Sequence, residues 1–145
     1  MFVIRGLARV TGAAALAAVG GLHLLWASGP AWPAKDKADL ADAMVGDPEA
    51  LPDPLPTAVV GVGALGAAAV VAGAGGESRL AQVARLTVAS GLLARAASGG
   101  GVAVRAMGLP EPGERARRID NRWIRPLCAG LGAIVLVSCL RSRPD

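Results

Sequence analysis

Long apolar blocks alternate with polar stretches along the chain, and four of them set its architecture. They run from about Leu7 to Trp26, Thr57 to Gly75, Val83 to Met107 and Ile124 to Leu140. A hydrocarbon core about 30 Å thick needs about 20 mostly apolar helical residues to cross it, and each block meets that length, the last only just. The pattern predicts an all-α, polytopic integral membrane protein: one membrane domain over residues 1–145, built as a four-transmembrane-helix bundle. The first block resembles a signal peptide, with Arg5 and Arg9 ahead of an apolar run. Its length, and Pro30 directly after the small residues Ala27-Ser28-Gly29, predict that it is retained.

Between the blocks lie three polar stretches. The loop over 27–56 is acidic and Pro-rich, carrying Asp36, Asp39, Asp42, Asp47, Glu49 and Asp53. Within it Leu40, Ala41, Met44 and Val45 recur at helical spacing, which predicts a short amphipathic helix lying on the membrane, ended by Gly46 and by Pro48, Pro52, Pro54 and Pro56. Its carboxylates read as a solvated face, or as one acid folding inward toward Arg122 or Arg125. A tight turn is expected at Gly76-Glu77-Ser78-Arg79, and a basic loop over 108–123.

Composition agrees with this picture. Hydrophobic residues make up 53% of the chain, mean hydropathy is +0.48, and there is one Phe and no Tyr, so the apolar mass is Ala, Val, Leu and Gly rather than the aromatic-rich core of a soluble domain. The sequence pI is about 10.0, yet the net charge of +4 is spread over membrane flanks, which predicts contact with anionic lipid and excludes a nucleic-acid partner. Four spans put both termini on one side. Six basic residues (Arg5, Arg9, Arg79, Arg85, Arg141 and Arg143) fall there, against eight opposite (Lys35, Lys37, Arg105, Arg115, Arg117, Arg118, Arg122 and Arg125). The count leaves orientation open. The arginines leading the first span lie closest to an apolar run, which favours a cell-membrane protein with both termini cytoplasmic.

Arg95 carries the strongest chemical signal, because it sits midway along the third block. A guanidinium there costs about 2.5–3.5 kcal/mol on insertion scales and stays protonated, so it faces protein, water or an anion. Arg85 and Arg105 stand ten residues to either side, roughly 15 Å away along a helix, and are placed to snorkel to opposite interfaces. No Asp or Glu falls inside the four blocks, so Arg95 is expected to use carbonyls, hydroxyls such as Ser90 or Ser98, water, a lipid phosphate or a bound anion. Ser98-Gly99-Gly100-Gly101 follows, and three glycines there allow either tight packing or a broken helix lining a polar cavity.

Other motifs carry less. His23 is the only histidine and Cys128 and Cys139 stand eleven residues apart, roughly 16 Å along a helix, so neither a metal or haem site nor an internal disulfide is expected. Trp26 and Trp32 read as interfacial anchors. Gly61-Val62-Gly63-Ala64-Leu65-Gly66 matches a dinucleotide fingerprint in letters only, since it lacks the strand, sheet and acidic residue that give the motif its function. Its small residues, with Ala13, Ala17 and Gly21, suit close helix crossings instead.

Two segments, His23-Leu24-Leu25-Trp26-Ala27-Ser28-Gly29 with Trp32-Pro33, and Asn121-Arg122-Trp123-Ile124-Arg125-Pro126-Leu127-Cys128, together with Arg95, resemble the bacterial four-helix membrane proteins grouped as domain of unknown function 3995. In that family an H-x-x-W-A-x-G motif closes the first helix and an aromatic-Ser-Pro-Leu-Cys motif opens the last. Here Ile124 and Arg125 replace the aromatic residue and the serine, and Trp123 falls one position early. The resemblance implies location and architecture and assigns no activity. Topology brings the end of the first span, the acidic loop and residues 121–125 to one membrane face. The expected site is a polar pocket formed by His23, Trp26, Arg95, Asn121 and Arg125 that binds an anionic small molecule or lipid headgroup, without a cofactor. The alternative is an accessory subunit that packs its small-residue helix faces against a larger membrane complex. An enzyme ranks third, since no nucleophile, base and orienting acid share a readable spacing.

Overall fold

The computed structural model describes residues 2–50, 53–106 and 108–140. Pro52, Met107, Arg141 and Arg143 lie outside them. The described residues form helices and no strands. In chain order these are α1 (Phe2–Ala27), α2 (Lys37–Met44), α3 (Pro54–Ala72), α4 (Arg79–Ser98), α5 (Gly100–Ala106), α6 (Glu114–Ile119), a π-helical turn (Asp120–Ile124) and α7 (Arg125–Cys139).

Three stretches are long and apolar enough to cross a membrane: Val3–Ala27, Pro54–Ala72 and the continuous helical run Glu114–Cys139. They mark the chain as a membrane protein. The single helix expected over 83–107 is instead two. Gln82, Arg85 and Arg95 leave α4 less apolar than its neighbours, and Gly99, at φ +71°, ends it before α5 starts. The segment expected as a basic loop over 108–123 is largely helical and runs straight into the last span. Pro126 accounts for the π turn between them. It offers no N–H to the carbonyl four residues back and its ring would collide there, and a π-type widening, with Arg125 N–H reaching Asp120 O, relieves both faults.

Local chemistry sets the helix ends. Asp53 accepts from Leu55 N–H at 3.0 Å just ahead of Pro54, which suits a first helical position. Ser78 accepts from Ala81 N–H at 3.2 Å to start α4, and Asp36 from Asp39 N–H at 2.8 Å to start α2. Helix α2 forms where its spacing predicts, and Gly46 at φ +86° ends it. Leu40, Ala41 and Ala43 are buried where α2 packs on α6, while Met44 stays exposed.

The long helices form a ring in which α1 packs on α3 and α7, and α4 on α7 and α3. Leu16, Ala68, Val71, Ala89, Leu131 and Val135 fill its centre. Small side chains let the axes approach. A Cβ on Gly20 would stand 2.8 Å from Gly61 O, and one on Gly132 2.8 Å from Leu93 Cγ. The crossing of α1 with α3 therefore uses Gly20, whereas the expected Gly21 faces open space, as do Gly63 and Gly66. Gly61 to Gly66 lie within α3, so the glycine motif is a helix-packing segment. Outward, Val3, Leu7, Val59, Val62, Leu80 and Val83 are exposed, a distribution suited to a lipid solvent.

Candidate functional site

The break between α4 and α5 creates two sets of orphan backbone groups, carbonyls at the end of one helix and N–H groups at the start of the next. Both are met from the last span. Arg125 donates through Nε to Ala96 O at 2.7 Å and through Nη2 to Ala97 O at 3.0 Å, closing the end of α4, while Nη1 donates to Asn121 Oδ1 at 2.9 Å. Asp120 accepts Gly100 N–H at 2.8 Å through Oδ2 and holds Arg95 Nη2 at 2.5 Å through Oδ1. The π turn places Asp120, Asn121 and Arg125 along the side of the run that meets the break.

This arrangement corrects the expected surroundings of Arg95. It does have a carboxylate partner, supplied by residue 120 in the segment read as a basic loop. Arg95 also lies in the last turn of α4, level with the polar start of α7 rather than with its apolar middle. Arg85 does not snorkel. It is 1% exposed, and donates through Nε to Val70 O at 2.9 Å and through Nη2 to Gly76 O at 2.7 Å, closing the end of α3. Arg105 is exposed and stands 3.6 Å from Glu111.

A cavity of about 220 Å³ opens at the break, lined by Gly99 to Gly101, Arg105, Glu111, Arg117, Asp120, Asn121 and Arg125. A smaller one of about 30 Å³ adjoins Arg95, Asp120 and Arg117 and is roofed by Met44 and Pro112. Three of the five residues expected to form a pocket, Arg95, Asn121 and Arg125, meet at this break. His23 and Trp26 do not line either cavity. His23 Nδ1–H donates to Val19 O at 2.9 Å within α1, its ring lies 5.0 Å from that of Trp26, and Trp26 Nε1–H donates to Trp32 O at 2.8 Å. Asp120, Arg105, Glu111 and Arg117 went unnamed as site residues. A signal for Asp120 was present: it is the acid nearest the apolar start of the last block, four residues before Ile124.

Two ion-pair clusters hold the loops. Arg115 Nη1 bridges Asp39 Oδ1 at 2.7 Å and Asp42 Oδ2 at 2.9 Å, clamping α2 to α6. Arg115 thus takes the role considered for Arg122 or Arg125, and its hydrogen bond holds the Asp39 carboxyl below its usual range. Beside this clamp the backbones nearly touch, a Cβ on Gly46 falling 2.2 Å from Gly113 N. At the other end of the bundle, Glu77 on the α3–α4 turn binds both Arg5 and Arg9, and Arg9 chiefly depresses its pKa. Among the described residues no group of three or more His, Cys, Asp or Glu could hold a metal ion, and Cys128 and Cys139 are free thiols.

The family of proteins of unknown function designated DUF3995 matches residues 16–135, and the chain belongs to it. No curated protein and no solved structure matches the chain.

Proposed function

We propose that this DUF3995 member is a four-span membrane protein that binds an anionic group, from a small molecule or a lipid headgroup, in the cavity at the α4–α5 break. One observation carries the reading: three arginines and two carboxylates line that cavity, and the Arg95 guanidinium behind Asp120 raises the local balance to +2. Uncompensated positive charge at the edge of an apolar bundle attracts an anion. Helices α4 and α5 supply the fourth crossing in this reading. In its favour, α4 completes the ring of long helices, and Leu80, Val83, Leu86 and Val102 are exposed as lipid-facing residues are. Four crossings put both termini on one side, and Arg5 and Arg9 ahead of the first span favour the cytoplasmic one.

Native mass spectrometry of the gently extracted protein tests this reading. The wild type should carry a ligand-sized extra mass that the Arg105→Gln/Arg117→Gln variant loses. Equal loads on both proteins would sink the proposal. A second reading, an accessory subunit of a larger complex, is favoured by the outward-facing Gly21, Gly63 and Gly66. It predicts a protein-sized mass retained by both forms and released by Gly63→Leu.

A further inference from the structure

The arginines at the break are not equivalent. Arg125 has committed all three of its nitrogens, to Ala96 O, Ala97 O and Asn121. Arg95 has committed Nη2 to Asp120, and its Nη1 is sealed from solvent without an acceptor. Both are engaged in holding the break together. Arg117 and Arg105 are not. Arg117 lines both cavities, and its side chain takes part in no ion pair or hydrogen bond among the described residues. Arg105 has only Glu111, at 3.6 Å, beyond hydrogen-bond length and with both side chains largely exposed.

Resting on the anion-binding reading above, we infer that the cavity takes a phosphate ester, held by Arg117 and Arg105, with Glu111 as a built-in competitor for Arg105. Two guanidinium forks from different elements, α5 and α6, need an acceptor with oxygens pointing in several directions. A tetrahedral phosphate offers them, whereas a planar carboxylate is filled by one fork. The cavity of about 220 Å³ exceeds the size of a bare phosphate and leaves room for the ester substituent. Glu111 fits the part of a displaceable stand-in, because its carboxylate already sits at the Arg105 guanidinium in a loose, exposed pair. Arg95, Asp120 and Arg125 are then positioning residues. They hold the break open and shaped.

Two probes separate the sources of such a group: phosphatidylglycerol, which is lipid-borne, and glycerol 3-phosphate, which is soluble. Each is titrated into the full-length detergent-solubilised protein and followed by native mass spectrometry. At least one should bind, about tenfold or more weakly to Arg117→Gln, about two- to fivefold more tightly to Glu111→Gln, and unchanged to Arg79→Gln at the far end of α4. Arg117→Lys keeps the charge but loses the fork, and should recover only part of the affinity. Binding that ignores Arg117→Gln or fails to rise in Glu111→Gln overturns the inference. If both phosphate probes fail while malonate binds in an Arg117-dependent way, the phosphate assignment falls and the anion pocket stands. If none of the three binds, both fall.

Discussion

Two helix ends in this protein are closed by an arginine from another part of the chain, and they differ in what surrounds the guanidinium. At the α3–α4 turn Arg85 donates to Val70 O and Gly76 O and is almost fully buried. At the α4–α5 break Arg125 performs the same service for Ala96 O and Ala97 O, yet a cavity of about 220 Å³ opens next to it. The turn has only one helix end to satisfy near Arg85, because Ser78 caps the following helix with its own hydroxyl. The break has two ends within one residue of each other. Its second set of orphan groups draws in Asp120, Asp120 recruits Arg95, and space with surplus positive charge is left around them. A guanidinium on carbonyls is thus a structural device in both places, and the break adds to it a cavity lined by surplus positive charge.

The largest test of this contrast is Arg85→Leu. It strips two charge-assisted hydrogen bonds, each about 1.5–3 kcal/mol, from a buried site, so thermal unfolding in detergent should show a loss of about 3 kcal/mol or more. Ligand binding at the break should survive in the fraction that folds. A loss below 1 kcal/mol would mean that water reaches Val70 O.

Next comes the Arg95–Asp120 pair. Asp120→Asn keeps an acceptor for Gly100 N–H but leaves Arg95 without its counter-charge, and a double-mutant cycle with Arg95→Gln should give a coupling of about 1–3 kcal/mol. Zero coupling would make the pair incidental. Smaller again is Gly99→Ala. The position has φ +71° and a Cβ would lie 3.2 Å from Asp120 Oδ2, so strain of about 1–2 kcal/mol is expected, together with weaker anion binding. Gly63→Ala, which meets nothing, should change neither.

The smallest effect is on pH dependence. Asp39 and Glu77 both have folded pKa values below their ordinary ones, through Arg115 and Arg9 respectively. A depressed carboxylate stabilises the fold above its unfolded pKa, and that contribution is lost as pH falls through the lowered folded value. Stability should therefore be flat near neutrality and decline below about pH 4. The decline should be shallower in Asp39→Asn, as followed by amide exchange in α2.

Much of the fold is legible in apolar block length alone. Residues 7–26 fall inside the first of the three helices able to cross a membrane, 57–75 and 124–140 overrun the ends of the other two by three residues and one, and Asp36 and Gly46 bound α2 as turn chemistry requires. The third block was harder to read. Its length and composition suggest one span, and the tetraglycine-like Ser98–Gly101 only permits a break. Of the residues at the break, Arg95, Asn121 and Arg125 could be named from burial cost and topology, while His23 bonds within α1 and Trp26 bonds Trp32 O in the loop that follows it. Arg117 could not be singled out among the six basic residues from Arg105 to Arg125, because in one dimension every flank arginine looks solvated.

Which segments leave water is written in composition and length, since burying apolar surface and satisfying backbone groups within helices depend on those. Where Arg85, Arg95 and Arg125 find their partners depends on how the helices pack. Those partners are carbonyls and one carboxylate 15 to 29 residues away for Arg85 Nε, Arg95 and Arg125 Nε, and only packed helices bring them within hydrogen-bond reach.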